Sequence, residues 1–167
     1  MLRFLIRLPA AALALLVLEG MSTDFSMANA AECKSVRGFL EERQVTGPGC
    51  TSPVGLCTVA QMFGQLKGQA NFTAAEIISS ADTPTTGVVF VRGDTTVLNA
   101  RLGGKRGTLL IKNAAAFRTV GDGDLSDTQV ILDGTGDFRG ASGSLRISGT
   151  FVAGSGSSSF EGEVCLP

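Results

Sequence analysis

Short runs in which apolar and polar residues alternate, separated by glycine-rich turns, make up most of this chain. In residues 107–118, Leu109, Ile111 and Phe117 share one face, while Lys112 and Arg118 occupy the other. Such alternation is typical of β-strands with one buried face. Glycine accounts for 22 of the 167 residues, about twice its usual share. Since no segment after residue 30 keeps a helical period, the pattern predicts an all-β protein.

Eight segments of this kind lie between residues 31 and 167, which form one predicted domain. They cover residues 34–43, 56–66, 69–78, 86–101, 107–118, 126–133, 144–152 and 159–166. The first also fits a short helix, and Gly93 predicts a bulge or bend in the fourth. Because closure removes exposed sheet edges, we expect an eight-stranded antiparallel closed β-barrel. Residues 31–55 would form an N-terminal segment with the first strand and a disulfide loop, and residues 56–167 the barrel body.

Residues 1–30 have the pattern of a secretory signal peptide. Arg3 and Arg7 precede an apolar run over residues 8–18, and residues 28–30 read Ala-Asn-Ala, a small-x-small cleavage pattern. The apolar run is too short for a membrane-spanning helix, although an uncleaved N-terminal anchor is the alternative. We therefore expect a secreted or periplasmic protein with no stable membrane insertion after cleavage.

Four cysteines, Cys33, Cys50, Cys57 and Cys165, follow the predicted cleavage site. An even number of cysteines in an exported chain predicts two disulfides, and four cysteines allow three pairings. We favour Cys33–Cys50 with Cys57–Cys165, because the second bond would join the start of the barrel body to its last strand. The spacing includes no CxxC motif and the chain has no His, so no metal site is predicted.

The overall composition excludes several classes of function. Without His, the chain cannot build a Ser-His-Asp or Cys-His catalytic group. Fourteen Lys and Arg residues stand against fifteen Asp and Glu residues, which gives a net charge of −1. Proteins that bind nucleic acids carry a clustered positive excess, so we expect no nucleic-acid partner.

Strand alternation also predicts which side chains point into the barrel lumen. Three polar residues, Glu76, Asn99 and Asn113, interrupt otherwise apolar faces. A carboxyl group in an apolar lumen can move protons, and an Asn can hydrogen-bond a substrate oxygen. The alternatives are that Glu76 lies at the rim and that the two Asn residues pair with each other or with the backbone. The predicted apolar lumen comprises Phe72, Val89, Val91, Leu109, Ile111, Phe117, Leu145 and Ile147.

The segment 56–66 has apolar residues on both faces. Val59 and Phe63 oppose Leu56, Ala60 and Met62. A strand that is apolar on both sides is typical of burial on both sides. We therefore expect a subunit interface outside the barrel, and hence a homo-oligomer.

Several glycine-rich motifs carry a resemblance to a known family. Residues 133–143 read DGTGDFRGASG, and LRISGT and FEGEVC follow at residues 145–150 and 160–165. Upstream, GQLKG at residues 64–68 precedes NFT at residues 71–73. Together these motifs resemble the allene oxide cyclase and dirigent superfamily, especially exported bacterial members of unassigned function. The resemblance implies a calycin-like eight-stranded barrel, often trimeric, with a dimer as the other possibility. It also implies a hydrophobic ligand in the lumen and no metal or organic cofactor.

Three functional hypotheses follow from these observations. The barrel could be a cofactor-free cyclase or isomerase, with Glu76 as acid or base and Asn99 or Asn113 orienting an oxygen. It could instead bind a hydrophobic small molecule without chemistry, as a dirigent- or lipocalin-like protein. A filled barrel would serve a structural role in the envelope. The chain has no Tyr, which weakens any mechanism that needs a lumen Tyr, and the motifs identify no catalytic residue of the family here.

Overall fold

The computed structural model describes residues 31–79 and 87–167, so the predicted signal peptide lies outside the described residues. Eight strands form a closed antiparallel barrel in which each pairs with its sequence neighbours and the last pairs with the first. The predicted fold class is therefore confirmed. The strands are β1 Glu32–Val45, β2 Cys57–Gly64, β3 Lys67–Ser79, β4 Val88–Leu102, β5 Lys105–Arg118, β6 Asp124–Gly136, β7 Ser142–Val152 and β8 Ser155–Leu166.

The first segment is a strand and not the alternative short helix. It closes the barrel by pairing with both the second and the last strand. Val36 and Leu40 are buried in the lumen, while Arg37 and Glu41, each next along the chain, are exposed. The strand pairs with β2 on one side and β8 on the other. A single 3₁₀ turn at Gly47–Gly49 then leads toward β2. No helix among the described residues is long and apolar enough to cross a membrane.

One half of the barrel interior is filled by side chains. We call it the packed half; it adjoins the start of β1, the end of β8 and the β2–β3, β4–β5 and β6–β7 turns. Phe138 comes from the β6–β7 turn and is fully buried there. Its ring lies against Gly107, where an added Cβ would approach a Phe138 ring carbon to 3.2 Å. The other large side chains buried there are Leu66, Val97, Leu109, Ile131, Leu145, Phe160 and Val164.

The glycine-rich motif at residues 133–143 is the turn that carries Phe138. Asp133 accepts hydrogen bonds of 2.7 Å from the backbone N–H groups of both Gly134 and Gly140. These two bonds hold the pKa of the Asp133 carboxyl below its usual value. A Cβ at Gly134 would lie 2.3 Å from the carbonyl oxygen of Thr108. Only glycine therefore fits at this position.

The predicted disulfide pairing is wrong. The bonds are Cys33–Cys165 and Cys50–Cys57, with S–S distances of 2.05 and 2.07 Å. Barrel closure explains the first bond, because it makes β1 and β8 neighbours and Cys33 and Cys165 direct partners in the register. The second spans the connection between β1 and β2. The favoured pairing had ignored the contact between the first and last strands.

The outer face of β2 carries exposed aromatic surface. Phe63 points outward and stacks on Phe39 of β1, with ring centroids 4.9 Å apart. The lumen face of β2 carries Thr58, Ala60 and Met62, all buried. In the single chain, β2 therefore has apolar residues on both its outer face and its lumen face. The homo-oligomer that it led us to expect stays a prediction.

Candidate functional site

The other half of the barrel interior is a cavity. We call it the hollow half; it adjoins the β1–β2, β5–β6 and β7–β8 connections. Its volume, counted as the space available to the centre of a water molecule, is about 90 Å³. On the same measure a single water needs roughly 10–15 Å³. Strands β1 to β7 all contribute to its wall. The apolar wall includes Leu40, Ala60, Phe72, Val91, Phe117 and Ile147, and the polar residues are Glu42, Thr58, Thr95, Asn113, Asp127 and Gln129.

The predicted lumen residues divide between the two halves. Four of them line the cavity: Phe72, Val91, Phe117 and Ile147. Three are buried within the packed half and do not line the cavity: Leu109, Ile111 and Leu145. Val89 is half-buried and does not line the cavity. Position along the strand decides this division: Leu109 and Ile111 lie nearer the packed end of β5 than Phe117 does, and on β7 Leu145 precedes Ile147.

Glu76 and Asn99 do not face the lumen, contrary to expectation. The Glu76 side chain is 43% exposed and forms an ion pair with Arg92 on the outer surface. A register irregularity between Ala74 and Glu76 moves it off the interior face. Asn99 is exposed with a φ of 51°, at an irregularity between Val97 and Ala100. Because a bulge inserts an extra residue, simple alternation fails beyond it.

Asn113 does lie in the cavity wall, in contact with a carboxylate. Its Nδ2 donates a 2.9 Å hydrogen bond to Oδ2 of Asp127. The Nε2 of Gln129 donates a 2.8 Å bond to the same oxygen. Asn113 and Gln129 are direct partners across β5 and β6, and Asp127 shares the face of Gln129. The register of this strand pair therefore brings two amide donors to one buried carboxylate.

Glu42 is a second carboxyl group in the cavity wall. It lies on β1, two residues beyond Leu40 on the same face, and the Thr58 hydroxyl donates a hydrogen bond to it. Burial raises the pKa of Glu42; the Thr58 bond opposes this, and the charge of Asp127 adds to it. Burial likewise raises the pKa of Asp127, against the bonds from Gln129 and Asn113. The two acids therefore influence each other across the cavity.

Several polar atoms of the cavity wall have no hydrogen-bond partner. They are Oδ1 of Asp127, Oδ1 of Asn113 and Oγ1 of Thr95. These residues are 8%, 7% and 3% exposed, respectively. Buried polar atoms are normally paired, so unpaired ones that face an open cavity point to a ligand or to water. The arrangement can bind a polar group beside an apolar body, and it can exchange protons with it.

Sequence reasoning missed Glu42 and Asp127 for different reasons. Glu42 lies within the predicted first segment, residues 34–43, and continues the alternation of Val36 and Leu40, so following that face to its end would have found it. Asp127 lies on a strand with inverted polarity: Val130 and Leu132 are 46% and 56% exposed, while Asp127 and Gln129 are buried. Strand pairing is the signal that could have found Asp127. Asn113 on the fifth strand lies opposite Gln129, and Asp127 shares the face of Gln129.

The described residues bring one potential group of metal ligands together. The ligand atoms of Cys33, Glu163 and Cys165 lie within 4.8 Å of one another. Both sulfur atoms are already joined in a disulfide, so they are not free to bind a metal.

Comparison with known proteins adds no family assignment. The chain matches no protein-family model, and no curated protein matches it. The resemblance to the allene oxide cyclase and dirigent superfamily therefore stays a prediction. Function has to be argued from the cavity itself.

Proposed function

We propose that this chain is an exported barrel that binds a hydrophobic small molecule in its hollow half. The observation that carries the proposal is the cavity, whose mainly apolar wall carries a polar cluster around Asp127 and a second polar pair, Glu42 and Thr58. Small-molecule sites typically combine an apolar wall with a few placed polar groups. The apolar wall favours binding by about 0.8 kcal/mol for each buried methylene group, and the polar cluster selects the head group.

Export is supported by the cysteines and by the N-terminal pattern. Both disulfides, Cys33–Cys165 and Cys50–Cys57, are of a kind that persists in oxidising compartments. The signal-peptide pattern of residues 1–30 agrees with this. We propose a secreted or periplasmic protein that meets its ligand outside the cytoplasm.

The two cavity carboxyls favour a second candidate, a cofactor-independent isomerase or cyclase. Glu42 and Asp127 are the groups in the cavity wall that could act as acid or base, in the role first expected of Glu76. A raised pKa brings a carboxyl nearer to neutral pH, where proton exchange is most effective. Turnover lost in Glu42→Gln and Asp127→Asn but kept in Glu76→Gln would distinguish catalysis from binding.

A matched pair of tryptophan variants tests the binding proposal. Ala115 lines the cavity, whereas Ala114, its neighbour on β5, is exposed on the outer face. We expect Ala115→Trp to weaken binding of the neutral apolar dye N-phenyl-1-naphthylamine at least tenfold, because the indole fills the cavity. Ala114→Trp should bind the dye as the unmodified chain does. Fluorescence titration measures both affinities, and circular dichroism confirms that both variants fold.

Two results would contradict the binding proposal. Dye affinity unchanged in Ala115→Trp would place the dye outside the cavity. Failure of the folded, unmodified chain to bind the dye or any neutral apolar compound would favour a purely structural role. Both outcomes are independent of the head-group chemistry considered next.

A further inference from the structure

The unpaired polar atoms of the hollow half are mainly hydrogen-bond acceptors. Oδ1 of Asp127 and Oδ1 of Asn113 can only accept while Asp127 is ionised, and both lack a partner. The nearby amides, Asn113 and Gln129, each direct an N–H at the other oxygen of Asp127. The Thr58 hydroxyl is also used, because it donates to Glu42. A ligand that satisfies these two oxygens must donate hydrogen bonds to them.

The same wall carries negative charge without a positive partner. Glu42 from β1 and Asp127 from β6 are the titratable side chains of the described lining, which contains no Lys or Arg. Residues 80–86, which the structure does not describe, include no Lys or Arg in their sequence. Elsewhere on the barrel, acids pair with bases, as in Glu76–Arg92 and Asp94–Lys112. Within the described residues of the cavity wall, neither acid therefore has a basic partner.

We propose that the ligand of the hollow half is a hydrophobic amine, bound as its ammonium ion with N–H groups directed at Asp127 and Asn113. The inference rests on the proposed function and names its ligand class. An ammonium group supplies several donors and one positive charge, which is what the polar cluster lacks. The alkyl or aryl part of the amine packs against the apolar wall.

Other ligand classes fit the cluster less well. A carboxylate would add a third negative charge beside Glu42 and Asp127, in surroundings of low dielectric. A ketone or epoxide could accept from the Thr95 hydroxyl, but it would leave Oδ1 of Asp127 and Oδ1 of Asn113 without a donor. An alcohol supplies one donor without charge, so it should bind more weakly than an amine. We therefore expect the site to bind an amine most tightly, an alcohol less tightly and a carboxylate most weakly.

The inference also gives the sign of a pH dependence. Glu42 on β1 and Asp127 on β6, both in the cavity wall, have raised pKa values because of burial. At low pH they are neutral and attract an ammonium group weakly. Affinity should rise with pH as they ionise, and fall again when the amine loses its proton near pH 10. An alcohol with the same alkyl chain should show no such rise.

Isothermal titration calorimetry with three hexyl compounds tests the inference. The full chain, expressed for export and purified oxidised, is titrated with hexylamine, 1-hexanol and hexanoate at pH 7.5. We expect hexylamine to bind at least tenfold more tightly than 1-hexanol, and hexanoate to bind most weakly. Asp127→Asn should remove at least tenfold of the amine affinity and change that of 1-hexanol less than threefold. Asp94→Asn, an acid on the outer face, is the matched control and should change neither.

Contrary outcomes separate the inference from the proposed function. Equal affinities for hexylamine and 1-hexanol, or an amine preference that survives both Asp127→Asn and Glu42→Gln, would overturn the amine assignment while leaving a binding cavity. Failure of the tryptophan test would overturn the proposed function itself. If Asp127→Asn does not fold, Glu42→Gln provides the same comparison from the opposite strand.

Discussion

The packed and hollow halves are built from the same strands but differ in what fills the lumen. On β5, Leu109 and Ile111 lie in the packed half, whereas Asn113 and Phe117 line the cavity. The packed half is closed by Phe138, which enters from the β6–β7 turn and is fully buried. A small barrel can either fill its lumen with side chains or hold one ligand. This barrel is filled by side chains at one end and has a cavity at the other.

The difference shows where stability and binding can be separated along one sheet. Large aliphatic and aromatic side chains in the packed half bury apolar surface and hold the strands together. The hollow half keeps polar side chains in its wall, which costs stability because buried charges lose their hydration. An arrangement of this kind is expected where a site is maintained for function at the expense of packing.

The two disulfides, one at each half, give the largest expected contrast. Cys33–Cys165 joins the first and last strands over a sequence separation of 132, whereas Cys50–Cys57 spans 7 residues at the hollow half. In the chain-entropy model, the long loop stabilises by about 5 kcal/mol and the short one by about 2 kcal/mol. We expect the double variant Cys33→Ser/Cys165→Ser to unfold at much lower denaturant concentration than Cys50→Ser/Cys57→Ser. Chemical denaturation followed by circular dichroism measures both.

That contrast would be contradicted by equal losses in the two double variants. Such a result would mean that the unfolded chain already keeps β1 near β8, so that the long bond constrains little. Mass spectrometry of the unmodified chain, with peptide mapping, independently checks the pairing.

Truncation of one phenylalanine in each half is expected to have the next largest effect. Phe138→Ala should destabilise the barrel by about 3–5 kcal/mol, because it leaves a cavity in close-packed surroundings. Phe117→Ala should cost about 1 kcal/mol, since Phe117 is half-buried and borders space that is already open. Thermal and urea unfolding measure the difference. Equal costs would mean that the hollow half is as tightly packed in solution as the other.

The sequence predicted the barrel well because its signals are local. Alternation in β5, β7 and β8 placed Leu109, Leu145 and Phe160 inside, and the structure agrees. Each of these strands keeps its hydrophobic face over the positions that were compared. Turn glycines marked the strand ends, so the number of strands and the closed topology could be deduced without long-range information.

The candidate site could be predicted only in part, because it depends on contacts between distant segments. Asn113 was found from alternation, but its partner Asp127 lies on a strand whose exposed face is the more apolar one. Bulges removed Glu76 and Asn99 from the interior, and a bulge depends on how two strands pair. The disulfide pairing differs, because the predicted closure already makes the first and last strands neighbours, and Cys33–Cys165 follows from that contact.

The smallest expected effect is on the free energy of unfolding of the empty barrel, which the two cavity acids, Glu42 and Asp127, lower at neutral pH. Their pKa values are raised in the folded state, so both bind protons more readily folded than unfolded. Their contribution to stability is then fully present below the ordinary pKa of about 4 for free carboxyls, and it is lost as the pH rises through the raised values.

We expect the double variant Glu42→Gln/Asp127→Asn to be more stable than the unmodified chain at neutral pH and to lose this advantage near pH 4. Urea unfolding across this range measures it, with Glu76→Gln as the exposed control that should follow the unmodified chain. A double variant that is less stable at neutral pH would mean that charged hydrogen bonds to Asp127 outweigh its burial, and that the hollow half contributes to stability as the packed half does.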